Sequence, residues 1–106
     1  MPTTSGSRPD GDADVPTPYR SSPVFDENTI PAALRREHRT KAGVWGVIEV
    51  IEGRVKFMRP GHPDATILAP GQPGLVLPEQ PHFVEPIGPM RMQVHFYDQP
   101  PDIADK

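Results

Sequence analysis

Four histidines, His38, His62, His82 and His95, are the side chains of this 106-residue chain best suited to hold a transition metal, because it contains no cysteine. His62 lies in "PGHPD", a proline-flanked loop, and reads as solvated. His38, His82 and His95 fall at the starts of strand-like runs or within them. A closed sheet brings inward-facing residues of distant strands to one cavity. Three imidazoles, or two with a carboxylate, suit Zn, Fe, Ni or Mn with one position left open. Glu37, Glu49 and Glu85 are the candidate carboxylates, and Glu85 follows His82 in "PEQPHFVEP". In a regular strand Glu85 faces away from His82's side, so a bulge or a turn at Pro86 would have to unite them. The competing reading of each imidazole is an ordinary hydrogen-bonded residue, and for His95 the companions Arg91, Gln93 and Tyr97 on its face fit a solvated surface.

Other side chains fit a ligand pocket. Lys41, in "EHRTKAGVWG", is a candidate anchor for an anion or an exposed turn lysine. Arg91 would assist electrostatically, and Gln93 and Tyr97 would supply polar contacts. Trp45 reads as a packing residue whose indole N–H needs one partner. Gly43 and Gly46 read as turn and close-packing positions. There is no glycine-rich phosphate loop, no serine nucleophile elbow and no S-adenosylmethionine-type glycine motif. Phosphoryl and acyl chemistry are therefore not expected, nor is a nucleotide cofactor.

The elements that must position these residues are short strands. Sixteen prolines and nine glycines punctuate the chain; proline removes a ladder donor and forbids long helices. Residues 1–23 are polar and proline-rich and read as a disordered tail, with little to bury against the entropy of ordering. The folded unit is expected over 24–98 and a second tail over 99–106. "DENTIPAAL" reads as one capped turn with Pro31 early in it, and "LRREH" is ambiguous between helix and strand. "VWGVIEVI", a turn at "EG" and "RVKFM" read as a hairpin. "ATILA", "LVLP", "HFVEPI" and "MRMQVHFYD" follow as further strands. In the last, Met92, Val94 and Phe96 share one face and Arg91, Gln93, His95 and Tyr97 the other. About seven short strands predict an all-β sandwich or barrel.

"H-x-T-K-x-G-x-W-G" followed by "P-x-x-x-P-H-x-V-E" and "VHFYD" resembles the small cupin-like domain at the N-terminus of some tellurite-resistance TehB proteins and alone in YeaR-like proteins. The resemblance covers roughly Pro23 to Asp98. It implies a jelly-roll β-barrel, an extended "LRREH", and pairing as a homodimer. The first cupin motif is out of register here, with only His38 near its histidine places, whereas His82 matches the second-motif histidine and His95 stands as a replacement ligand.

A formal charge of −3 excludes a phosphate-tracking surface, no run reaches a membrane span, and the N-terminus lacks a signal-peptide core. The expected protein is cytoplasmic, with no nucleic-acid or membrane partner. Its expected function is a binding or sensor module for a divalent metal or a small molecule or oxyanion ligand in tellurite stress. The alternatives are a metal-dependent cupin enzyme, oxygenase- or isomerase-like, and a pure interaction piece beside a separate methyltransferase. A small core also favours a homodimer.

Overall fold

The computed structural model describes residues 16–101. The described chain is all-β: β1 (Arg20–Ser21), β2 (Phe25–Asp26), β3 (Trp45–Met58), β4 (Thr66–Leu68), β5 (Gly74–Val76) and β6 (Phe83–Tyr97), with one 3-10 turn at Ala32–Arg35. No helix among the described residues is long and apolar enough to cross a membrane.

All six strands form one sheet, ordered β1-β6-β3-β4, with β2 also on β6 and β5 also on β3. The pairing is that of an open sheet around two long antiparallel strands, not the closed jelly roll expected. Nor does "EG" end a strand. The expected hairpin of "VWGVIEVI" and "RVKFM" is a single strand, β3, paired with β6 from Trp45↔Tyr97 to Met58↔Phe83. "HFVEPI" and "MRMQVHFYD" likewise merge into β6.

The reason is a pair of register shifts. The β3–β6 ladder slips between Val50 and Glu52 and again between Glu52 and Arg54. A bulge takes up the chain at "EG" without reversing it. The first slip, one extra residue on β3, exchanges the faces of every later β3 residue. The second, an even step on both strands, leaves the faces as they are. Ile48 and Val50 are buried before it, and Val55 and Phe57 after it, so even positions give way to odd ones on the same apolar face. Gly53 holds the slip at φ +75°, with a Cβ there colliding with the Pro89 carbonyl oxygen and standing 3.0 Å from Met90 Cα.

Leu68, Val76, Val84, Met90, Met92, Val94 and Ile30 join those residues in one cluster, with Phe25, Leu34 and Phe96 packed against it. Among the described residues no long helix covers this face, and only Leu34 of the 3-10 turn packs against it from a helical turn. Residues from both ends of the two long strands meet in one core, so the sheet bends over itself at the bulges. The alternation expected for the last strand holds: Met92 and Val94 are buried, Phe96 packs on the core, and Arg91 is exposed.

Order begins earlier than residue 24. Arg20↔Phe96 and Ser21↔His95 pair β1 with β6; residues 1–15 of the expected N-terminal tail and 102–106 of the expected C-terminal tail lie outside the described residues. The Asp26 carboxylate accepts the backbone N–H groups of Asn28 and Thr29. These bonds, first that of Asn28, hold its carboxyl below the usual carboxylate range. Pro31 then leads into the 3-10 turn, and "LRREH" divides between that turn and an isolated bridge at His38.

Gly53→Ala is expected to lower the unfolding free energy by about 3 kcal/mol, combining left-handed strain with backbone collision. Gly61 has φ +94° but open space around it, and Gly61→Ala should cost only about 1 kcal/mol. Equal midpoints for the two variants in urea would refute a steric role for the slip.

Candidate functional site

The apolar face leaves a cavity of about 260 Å³. Ile48, Val76, Val84, Met92 and Val94 line it from the core strands, and His38 and His82 stand in its wall. These two imidazoles are brought together by an isolated antiparallel bridge. The His38 N–H donates to the His82 carbonyl at 3.0 Å and the His82 N–H returns to the His38 carbonyl at 2.9 Å. Their rings lie 4.1 Å apart between centroids, and the edge of Phe57 approaches His82 at 6.2 Å.

Carbonyl oxygens accept and never donate, which assigns the tautomers. His38 Nδ1 lies 3.0 Å from the Arg36 carbonyl and His82 Nδ1 2.8 Å from the Gln80 carbonyl. Both Nδ1 atoms therefore carry hydrogen. In its neutral form such a ring keeps its lone pair on Nε2, for which no partner is present among the described residues. His82 is 4% exposed and is the buried polar side chain of the described core. Burial pushes its pKa below the ordinary 6.5, the neighbouring His38 acts in the same direction, and the Gln80 carbonyl opposes both. Uncharged His82 thus keeps an acceptor nitrogen in the wall of a cavity whose inner side is aliphatic.

Around this cavity stand Arg20, Arg39 and Lys41, with no carboxylate among its described lining residues. Lys41 is where a ligand anchor was expected. Thr40 closes the neighbouring turn, its hydroxyl donating to the Val44 carbonyl at 2.8 Å and accepting the Glu79 N–H at 3.3 Å. That polar staple explains the density of "EHRTKAGVWG": it carries a cavity wall, a turn and a strand start within ten residues.

The other expected ligands are elsewhere. His95 projects from the opposite face of β6, bonded to Ser21 and Glu49. Glu85 is exposed opposite Lys56 in the ladder. Arg91 pairs with Glu52 at 3.2 Å, Gln93 donates to the Ser22 carbonyl at 2.8 Å, and Tyr97 sits opposite Trp45. None of these lines the His38–His82 cavity. Among the described residues no group of three or more His, Cys, Asp or Glu side chains is arranged to hold a metal ion. The physical reason is strand parity: His95 occupies an odd position of β6 where the even ones face the core. Ser21 escaped the sequence reading because it sits in the stretch read as a disordered tail.

The TehB-like domain model matches residues 20–94. The chain belongs to the TehB-like domain family. Two curated relatives, each named probable S-adenosyl-L-methionine-dependent methyltransferase TehB, come from two strains of Haemophilus influenzae. Each is 36% identical over 39 residues, 37% of this chain. The chain spans only 14% of the length of either relative. The crystal structure of TehB from Haemophilus influenzae superposes with a TM-score of 0.72 at 25% identity, over 80% of this chain and 32% of that one. A crystal structure of a protein from E. coli strain K12 also reaches 0.72, at 23% identity, over 82% of this chain and 94% of that one. In that protein the fold makes up nearly the whole polypeptide.

These relatives correct the functional expectation. A metal-binding or anion-binding cupin sensor, and equally a metal-dependent cupin enzyme, find no support where the relatives are named as methyltransferases. The cofactor in those names is S-adenosyl-L-methionine, not a divalent metal, so the expectation of a metal and no nucleotide-type cofactor is also overturned. The TehB-like assignment stands, and the tellurite-resistance setting fits with it.

Because His82 is held neutral in the fold, its contribution to stability is complete above the unfolded-state value of about 6.5 and is lost as pH falls through its lower folded value. Urea unfolding should show wild-type stability dropping below pH 6.5 with a steeper slope than His82→Gln. Parallel pH profiles for the two proteins would contradict the burial argument.

Proposed function

We propose that this chain is an accessory domain of S-adenosyl-L-methionine-dependent methyl transfer, holding the methyl acceptor while a methyltransferase polypeptide holds the cofactor. The observation that carries this reading is the His38–His82 pair in the cavity wall, each Nδ1 bonded to a carbonyl so that Nε2 is left for a ligand. A methyl acceptor in its protonated form is X–H, a donor with a compact body. An unprotonated Nε2 accepts that hydrogen, and the walls of Ile48, Val84 and Met92 cover the apolar body.

The same cavity does not suit the cofactor. S-adenosyl-L-methionine is a sulfonium with a ribose diol, groups that call for a carboxylate and a glycine-rich turn at a helix N-terminus. Here the lining cations Arg20, Arg39 and Lys41 oppose a sulfonium. The cofactor's place in this reading is on the methyltransferase, and a cytoplasmic setting goes with it. The E. coli neighbour, matched over 94% of its length, has the same fold over nearly its whole chain.

Neutral His82 orients the X–H bond rather than removing its proton outright, since burial also makes it a weak base. Lys41 and Arg39 at the exposed rim face whatever polar end projects from the cavity.

Benzyl mercaptan tests the reading as a compact X–H probe. In carbon–proton NMR it should shift the His38 and His82 ring resonances and leave His62 and His95 unmoved. Toluene, lacking the donor, should bind roughly fivefold more weakly, the worth of one hydrogen bond of about 1 kcal/mol. S-adenosyl-L-methionine at millimolar concentration should shift neither ring, and its incubation with the chain and the thiol should yield no methyl sulfide. Movement of the two rings by the cofactor, or their indifference to the thiol, would overturn the proposal.

A further inference from the structure

We propose a second site on the opposite face of the sheet, where Ser21, His95 and Glu49 form a nucleophilic relay suited to small activated esters. The Ser21 hydroxyl lies 2.7 Å from His95 Nδ1, and His95 Nε2 lies 2.7 Å from Glu49 Oε1. The three residues come from β1, β6 and β3. They are far apart in the chain, by 74 positions for Ser21 and His95 and 46 for His95 and Glu49.

The carboxylate decides the direction of the line. An ionised Glu49 only accepts, so Nε2 carries hydrogen and Nδ1 is left as an acceptor. Ser21 must then donate its O–H to Nδ1. This is the arrangement in which an imidazole removes a serine proton while a carboxylate fixes its tautomer, with the two ring nitrogens exchanged relative to the familiar triad.

The backbone adds an oxyanion donor. Ser22 N–H bonds to the Val94 carbonyl at 2.8 Å, in register with Ser21↔His95. Alternation along an antiparallel ladder then turns the Ser21 N–H away from β6 and from that strand's carbonyls. Beside the imidazole lies a groove of about 280 Å³ lined by Val47, Glu49, Ala69, Pro73 and His95. Ser21 does not line that groove and instead borders a hollow of about 290 Å³ beside Pro23, Phe25 and Val94, apolar walls that suit a short acyl group. Ser21 is exposed and His95 has 20% side-chain exposure, so substrate reaches the pair without rearrangement.

In the reaction, Ser21 Oγ adds to the ester carbonyl carbon as its proton passes to His95 Nδ1. The carbon–oxygen bond to the alcohol breaks, and His95 returns the proton to the departing oxygen. Water then adds to the acyl-serine, giving its proton to His95. The acyl–serine bond breaks, the carboxylic acid leaves, and Ser21 recovers its hydrogen from His95. Ester and water become acid and alcohol, with no oxidant or reductant. Ser21 and His95 touch the reacting atoms; Glu49 is a positioning residue.

Hydrolysis of p-nitrophenyl acetate by the full chain tests this. Ser21→Ala and His95→Ala should each lower turnover at least tenfold, and Glu49→Gln should lower kcat while leaving KM unchanged. His62→Ala should keep the wild-type rate, which separates the relay from hydrolysis by any exposed imidazole. Diisopropyl fluorophosphate should add one phosphoryl group, placed on Ser21 by peptide mass spectrometry. Turnover of Ser21→Ala within twofold of wild type, with its urea midpoint unchanged, would overturn the inference. So would labelling that is absent or falls on another residue.

Discussion

The slipped ladder between β3 and β6 is the constraint on which the rest of the structure depends. A 14-residue strand running against a 15-residue one would, in perfect register, keep one parity on each face throughout. The residues do not obey one parity. Ile48 and Val50 require the even face, while Val55 and Phe57 require the odd one. The extra residue between Val50 and Glu52 reconciles them, and just beyond it the close approach of Gly53 to Pro89 and Met90 leaves no room for a side chain. One backbone adjustment therefore puts both apolar runs into a common core.

From this follows the manner in which the domain buries its core. Among the described residues no long helix lies over the apolar face, and the two ends of the long strands share one core. The space that remains is the cavity holding His38 and His82. A neutral imidazole is tolerable there because each Nδ1 is satisfied by a carbonyl within its own turn, two residues back, so that one hydrogen-bonding position per ring is left for a ligand. Full ionisation in that wall would set two cations side by side, which burial resists.

The two faces of β6 then carry different chemistry. The inner face presents a lone-pair acceptor in an apolar space, suited to a donor ligand. The outer face carries an imidazole already committed at both nitrogens, one to a hydroxyl and one to a carboxylate. The same residue type has opposite properties on the two sides because its neighbours differ: carbonyls and aliphatic walls inside, polar side chains of adjacent strands outside. Assigning His82 and His95 to one metal centre required them to share a face, and the alternation already visible in "MRMQVHFYD" was evidence against that.

Much was legible in residue order alone. Proline and glycine spacing excluded long helices, β-branched runs marked the strands, and period-two alternation assigned the faces of β6. The two-part motif containing His38 and His82 identified the family, because such local patterns reflect side-chain and backbone preferences that act over a few residues. What residue order did not settle was whether "EG" reverses the chain or only bulges it, since both outcomes use the same glycine. That was decided by the pairing of β3 with β6 on both sides of Gly53. The meeting of His38 with His82, and of Ser21 with His95 and Glu49, was decided in the same way. These contacts join residues remote along the chain, and only the register of the folded sheet determines which of them face one another.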